Sequence, residues 1–117
     1  MGTLNVLVVE DDADARYLST ELFRGAGFAV REAEHGRRAL DVLLIERWRP
    51  DIIVLDVAMP VMDGLTFLAR KREADLPAIP VVIVSASFTG PIADAACVLS
   101  KPVDPDVLLR AVLKHAA

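Results

Sequence analysis

Five short apolar runs alternate with amphipathic stretches along the chain. The first run, Leu4-Asn5-Val6-Leu7-Val8-Val9, stops at Glu10-Asp11-Asp12. From Asp14 to Ala26 the apolar residues Ala15, Leu18, Leu22 and Ala26 recur at helical spacing, and Gly25 and Gly27 supply a stop. Phe28 to Ala33 alternates and is less apolar, which predicts a strand at a sheet edge. Gly36 to Trp48 carries Leu40, Leu43, Leu44 and Arg47 on one face of a second predicted helix.

After Pro50, the run Ile52-Ile53-Val54-Leu55 ends at Asp56. Pro60 and Gly64 shape the next loop, and Leu65, Leu68, Ala69 and Arg72 outline a third helix. Pro77 and Pro80 precede Val81-Val82-Ile83-Val84, which ends at Ser85. Pro91 to Ala95 has room for one or two helical turns, and Cys97 to Ser100 reads as a fifth strand. Asp104 caps a last helix with Val107, Leu108, Ala111, Val112 and His115 on one face. Strands and helices in strict alternation predict an α/β fold, a doubly wound five-stranded parallel sheet with helices on both faces. The first, third and fourth runs are almost unbroken, as strands covered on both sides are. No repeat or linker interrupts the pattern, so residues 1–117 are read as one domain.

Composition narrows the picture. Apolar residues make up 54% of the 117 positions but aromatics only 5%, so Val, Leu, Ile and Ala must build the core. A net charge of −4 without a basic stripe predicts no nucleic-acid contact. No apolar run approaches the roughly 18 residues that span a bilayer, so no membrane association is expected. Met1-Gly2-Thr3-Leu4-Asn5 lacks a signal-peptide pattern, and the single Cys97 cannot form an internal disulfide. A cytoplasmic location is the expectation.

The informative polar residues stand where strands end: Glu10 and Asp11, Asp56, Ser85, and Lys101. In open doubly wound sheets the crevice outside the carboxyl ends of the strands is where ligands bind. Carboxylates gathered there repel one another and raise each other's pKa unless a cation lies among them, and Mg²⁺ suits a few carboxylates plus phosphate oxygens. A carboxylate flanked by a metal, an ammonium and a hydroxyl is placed to attack phosphorus. Each residue alone has a simpler reading. Glu10-Asp11-Asp12 would serve as a solvated turn with Asp12 as a helix cap, Ser85 as a strand-end hydroxyl, and Lys101 as a surface lysine. Their joint occurrence at strand ends favours a site. His35 and His115 are read as ordinary turn and terminal residues, Cys97 as a small strand residue, and Trp48 as a cover for the second helix. Arg70-Lys71-Arg72 is read as a solvated helix face.

Four segments in order, Val8-Val9-Glu10-Asp11-Asp12, Asp56-Val57-Ala58-Met59-Pro60-Val61-Met62-Asp63-Gly64, Val84-Ser85-Ala86 and Ser100-Lys101-Pro102, carry a resemblance. The chain resembles, over nearly its whole length, the receiver domain of two-component response regulators, in particular single-domain chemotaxis-regulator-like members. The resemblance implies a flavodoxin-like sheet of order 2-1-3-4-5, with Asp56 as phosphoacceptor. Mg²⁺ would be held by Glu10, Asp11, Asp56 and the backbone carbonyl of Ala58. Ser85 would contact a phosphoryl oxygen, Lys101 would pair with the phosphoryl group, and Pro102 would follow a cis peptide bond. The implied partners are a sensor histidine kinase or phosphotransfer protein and an output protein. The domain would phosphorylate and dephosphorylate itself without being an enzyme in the ordinary sense.

Two departures from the family pattern bear on output. Val98 stands where receivers usually carry a Tyr or Phe ring. The stretch from Ser85 to Lys101 is also shorter than usual by about one and a half helical turns. Phe88-Thr89-Gly90-Pro91 is a poor helix, so the fourth helix is expected to be a stub or a loop. These departures keep open a degenerate receiver that binds proteins without phosphorylation. A phosphohydrolase is disfavoured because Ala58 replaces the second Asp such enzymes carry. A flavodoxin-like cofactor carrier is disfavoured because the first loop is acidic.

Overall fold

The computed structural model describes residues 3–74, 76–87 and 90–116. Strands β1 (Asn5–Val9), β2 (Ala29–Ala33), β3 (Ile52–Asp56), β4 (Val81–Ser85) and β5 (Cys97–Ser100) form one parallel sheet in the order β2-β1-β3-β4-β5. Helices α1 (Ala13–Gly25), α2 (Gly36–Leu44), α3 (Gly64–Glu73) and α4 (Pro105–His115) cover it. The expected fold and strand order are therefore observed, with the alternating second strand at one edge.

The pleat sends alternate side chains to opposite faces, so each central strand feeds two cores. Leu7, Val9, Ile53, Leu55, Val81 and Ile83 pack beneath α2 and α3 with Leu43 and Phe67. Val6, Val8, Ile52, Val54, Val82 and Val84 pack beneath α1 and α4 with Phe23, Leu108 and Val112. Every residue of β3 and β4 is buried. Full burial of such an aliphatic side chain contributes about 1.5–3 kcal/mol, so these two strands fix the centre of the sheet.

Each helix begins on a side-chain cap that meets an otherwise unpaired backbone N–H. Asp12 accepts from Ala15 N at 2.8 Å, Asp63 from Thr66 N at 2.8 Å, and Asp104 from Asp106 N at 2.8 Å. His35 plays the same part for α2, its Nδ1 accepting from Arg38 N at 3.1 Å.

The helical faces depart from the periodicity in three places. In α1 the residues turned to the sheet are Thr20 and Phe23, while Leu18 is 68% exposed. Ala15, Leu18 and Leu22 of the predicted stripe line a groove of about 780 Å³ toward α4, and of these Leu22 also packs on the core beneath α1 and α4. The second helix ends at Leu44, short of Trp48, because Arg47 adopts a left-handed φ of 56° that helical backbone does not allow. In α3 the largest buried side chain is Phe67, and Leu65 is partly exposed.

Among the described residues no helix lies between β4 and β5; a turn closed by Ala95 N on Ile92 O stands there instead. Phe88 and Thr89, part of the stretch expected to make a poor helix, lie outside the described residues. Val98 is half-buried and packs on the α2/α3 core together with Ile92 and Ala95.

Gly64 makes a close approach that no larger residue allows. A Cβ there would lie 2.6 Å from the Asp56 carbonyl oxygen and 2.8 Å from Val57 Cα, both rigid backbone. Gly64→Ala should therefore cost about 1–3 kcal/mol in urea denaturation. Gly25→Ala, whose Cβ would meet nothing within 4 Å, should leave stability unchanged or raise it by about 0.5 kcal/mol.

Candidate functional site

The parallel register brings the carboxyl ends of β1, β3, β4 and β5 to one edge of the sheet. Asp56 is opposite Val84, and Ser85 opposite Ser100, so Asp56, Ser85 and Lys101 are set side by side by three neighbouring strands. Backbone hydrogen bonds hold the strand exits. Glu10 N donates to Ala33 O at 3.0 Å, Lys101 N to Ser85 O at 2.9 Å, and Gly64 N to Val57 O at 2.8 Å. The Lys101–Pro102 peptide is cis, as expected.

Glu10 and Asp56 are each only 7% exposed, and Ser85 2%. Carboxylates that buried need partners. Lys101 supplies them: its Nζ donates to Glu10 Oε1 at 2.6 Å and lies 3.6 Å from Asp56 Oδ1. One ammonium is thus shared by two carboxylates. Asp11 is exposed at the rim, yet an oxygen of Glu10, Asp11 and Asp56 can be chosen so that all three lie within 4.8 Å of one another. Ser85 Oγ accepts from Ser87 N at 3.0 Å. Ala58, two residues past Asp56, is exposed.

The charges do not balance. Burial, then the hydrogen bond with Glu10 and its negative charge, push the Asp56 carboxyl up to about 7; Lys101 pulls it down and Asp11 adds a smaller upward push. Burial by itself would lower the Lys101 ammonium, but the hydrogen bond and charge of Glu10, followed by Asp56, raise it. The lysine is held charged while Asp56 is left only partly ionised near neutrality. Such a set of three close carboxylates with one ammonium suits a hard divalent cation with oxygen ligands, so the donor chemistry fits Mg²⁺.

Periodicity and strand ends did not single out Arg16. Its guanidinium donates to the backbone carbonyls of Glu10 at 2.9 Å and Asp11 at 3.4 Å, and pairs with Glu32 at 3.5 Å. It clamps the acidic loop from the first turns of α1. The available signal was a lone arginine one helical turn beyond an acidic triplet. His35 is an ordinary residue of the strand-to-helix turn, as expected, where it caps α2. The expected solvated face of Arg70-Lys71-Arg72 holds for Arg70 and Arg72, which pair with Glu73 and Asp94, but Lys71 is half-buried.

The family model described as the response regulator receiver domain matches residues 6–113. An uncharacterized 14.6 kDa protein encoded 3′ of sodA1 in Leptolyngbya boryana is 36% identical, over 98% of this chain and 92% of its own length. A protein-glutamate methylesterase/protein-glutamine glutaminase of Anaeromyxobacter dehalogenans is 42% identical over 91 residues, 78% of this chain, which spans only 25% of that relative. The CheX-CheY-BeF3-Mg complex of Borrelia burgdorferi contains a chain that superposes with a TM-score of 0.85 at 30% identity, covering 95% of this chain and 87% of that one.

The raised Asp56 carboxyl has a consequence for stability. Below about pH 4 folded and unfolded chains both hold the proton; between there and about 7 only the folded chain does, so its contribution to stability is lost as pH rises through about 7. Without divalent metal, Asp56→Asn should therefore be more stable than the parent at alkaline pH, by on the order of 1–2 kcal/mol. The gap should close as pH falls toward 4. Urea midpoints measured in chelator across this range check the sign, and adding Mg²⁺ at alkaline pH should shrink the gap by stabilising the parent.

Proposed function

The chain belongs to the response regulator receiver family, the signalling domains of two-component systems, and from that premise we propose that Asp56 is its phosphoacceptor. The observation that carries the reading is the near-complete burial of Asp56 beside Glu10, Asp11 and the shared ammonium of Lys101. The phosphoryl donor is a phosphohistidine on a sensor histidine kinase or phosphotransfer protein. An Asp56 carboxylate oxygen attacks phosphorus, the phosphorus–nitrogen bond breaks, and the imidazole leaves with the electron pair. The Lys101 ammonium, 3.6 Å from Asp56 Oδ1, meets the charge on the transferred oxygens. Ser85, fixed at the end of β4, donates its hydroxyl to one of those oxygens. Glu10, Asp11, Asp56 and the carbonyl of Ala58 would hold Mg²⁺, which when bound offsets the crowded negative charge of carboxylates and phosphoryl group. The Borrelia relative, named with BeF3 and Mg, supports this assignment because beryllium trifluoride on a carboxylate has the charge and tetrahedral shape of a phosphoryl group.

Output goes through a protein partner. That the same relative was crystallised with CheX supports partner binding by this fold. A second reading, a protein-binding module that works without phosphorylation, draws on Val98 and on the turn between β4 and β5. Val98 has no ring to swing inward, and among the described residues no helix lies beside it.

Intact-mass measurement after incubation with acetyl phosphate and Mg²⁺ separates the two. One phosphoryl adduct on the parent, lost in Asp56→Asn and slowed about 100-fold or more in Lys101→Met, is the expected result. Absence of an adduct from every small-molecule and kinase donor would replace the first reading by the second.

A further inference from the structure

Glu10 and Asp11 lie on the loop between β1 and α1, and the backbone of that loop is fastened from the β2 side. Glu10 N donates to Ala33 O at 3.0 Å. One nitrogen of the Arg16 guanidinium donates to Glu10 O at 2.9 Å and to Asp11 O at 3.4 Å, and another meets the Glu32 carboxylate at 3.5 Å. Glu32 and Ala33 are neighbours on the edge strand β2. That strand therefore holds the acidic loop twice, once directly and once through Arg16. The Arg16 and Glu32 side chains are 22% and 39% exposed, so water screens their pairing only in part. Among the described residues Glu32 is the carboxylate that Arg16 pairs with, and Arg16 touches the site itself at backbone oxygens.

We propose, resting on the reading of Glu10, Asp11 and Asp56 as the carboxylates that hold Mg²⁺, that Arg16 steadied by Glu32 is a positioning residue that sets the affinity of the site for Mg²⁺ and its preference for Mg²⁺ over Ca²⁺. Three carboxylates with oxygens within 4.8 Å of one another repel while no cation lies among them. Glu10 is tied down by Lys101, and Asp56 is buried at the end of β3. Asp11 is exposed at the rim, so the backbone of its loop is what keeps its carboxylate near the other two. A planar guanidinium fixed on two successive carbonyls opposes the drift of that loop. A lysine ammonium, a point charge on a flexible stem, does so less well. Mg²⁺ demands a near-ideal octahedron, whereas Ca²⁺ accepts longer and looser coordination, so a slackened loop costs Mg²⁺ more. Charge alone predicts the opposite sign. A guanidinium close to the site repels a divalent cation, and removing it with no change of position would strengthen metal binding.

Isothermal titration calorimetry with Mg²⁺ and with Ca²⁺, at one fixed pH, tests this on the parent, Arg16→Met, Arg16→Lys, Glu32→Gln and the double variant Arg16→Met/Glu32→Gln. Arg24→Gln, at an exposed arginine of the same helix, is the control. Arg16→Met should lower Mg²⁺ affinity about 10-fold or more, the scale on which groups that orient metal ligands act, and Ca²⁺ affinity by less. Arg16→Lys should fall between Arg16→Met and the parent. Glu32→Gln should weaken Mg²⁺ binding severalfold in the parent and not at all in Arg16→Met, and Arg24→Gln should bind as the parent does. If Arg16→Met does not fold, Arg16→Lys and Glu32→Gln carry the same test. Mg²⁺ affinity unchanged or raised in the Arg16 variants, or equal losses for the two ions, would overturn the proposal and leave the metal reading standing. A parent that binds no Mg²⁺ would overturn the metal reading, and the proposal with it.

Discussion

One ammonium shared by two buried carboxylates organises this molecule. Lys101 comes from the last strand exit and Glu10 from the first, ninety-one positions away, and their 2.6 Å contact spans the crevice beside Asp56. A third carboxylate, Asp11, joins from the rim. Three negative charges against one positive leave the cluster short of a cation, and burial, followed by the hydrogen bond and charge of Glu10, raises the Asp56 carboxyl to about 7. The same imbalance suits the cluster to a hard divalent cation with oxygen ligands.

The fold tolerates the imbalance because it is confined to one end of a heavily apolar sheet. Every residue of β3 and β4 is buried, and each fully buried aliphatic side chain there contributes about 1.5–3 kcal/mol. Local devices then fix the geometry. Gly64 lets α3 start against the backbone of Asp56, and Arg16 pins the carbonyls of Glu10 and Asp11. The opposite flank is less constrained. Between β4 and β5 a turn stands and, among the described residues, no helix, and Val98 packs inward as an aliphatic residue. Rearrangement at Ser85 would have to travel outward through small aliphatic contacts instead of a rotating ring.

Much of this was legible in the residues because strand burial and strand ends are written locally. Unbroken runs such as Ile52 to Leu55 mark central strands, and a polar residue closing such a run marks the crevice. The cap at Asp104, the edge position of the second strand and, among the described residues, the lack of a helix before β5 could be read in the same way. What could not be read depends on the angle at which helices meet the sheet. The stripe of Ala15, Leu18 and Leu22 was correctly periodic, but α1 turns it toward α4 and buries Phe23 and Thr20 instead. The end of α2 escaped because Arg47 takes a left-handed conformation that its residue type does not announce. Arg16 and Lys71 escaped because a basic residue on a helix looks solvated until its neighbours are known.

Asp56 sits in a site whose close carboxylates outnumber its one ammonium. Carbon-13 NMR of its side-chain carboxyl, titrated with and without Mg²⁺, measures the consequence at the atom concerned. The expected result is a metal-free midpoint near 7 that moves well below neutrality when Mg²⁺ is present. A midpoint in the ordinary carboxylate range, unmoved by Mg²⁺, would contradict it.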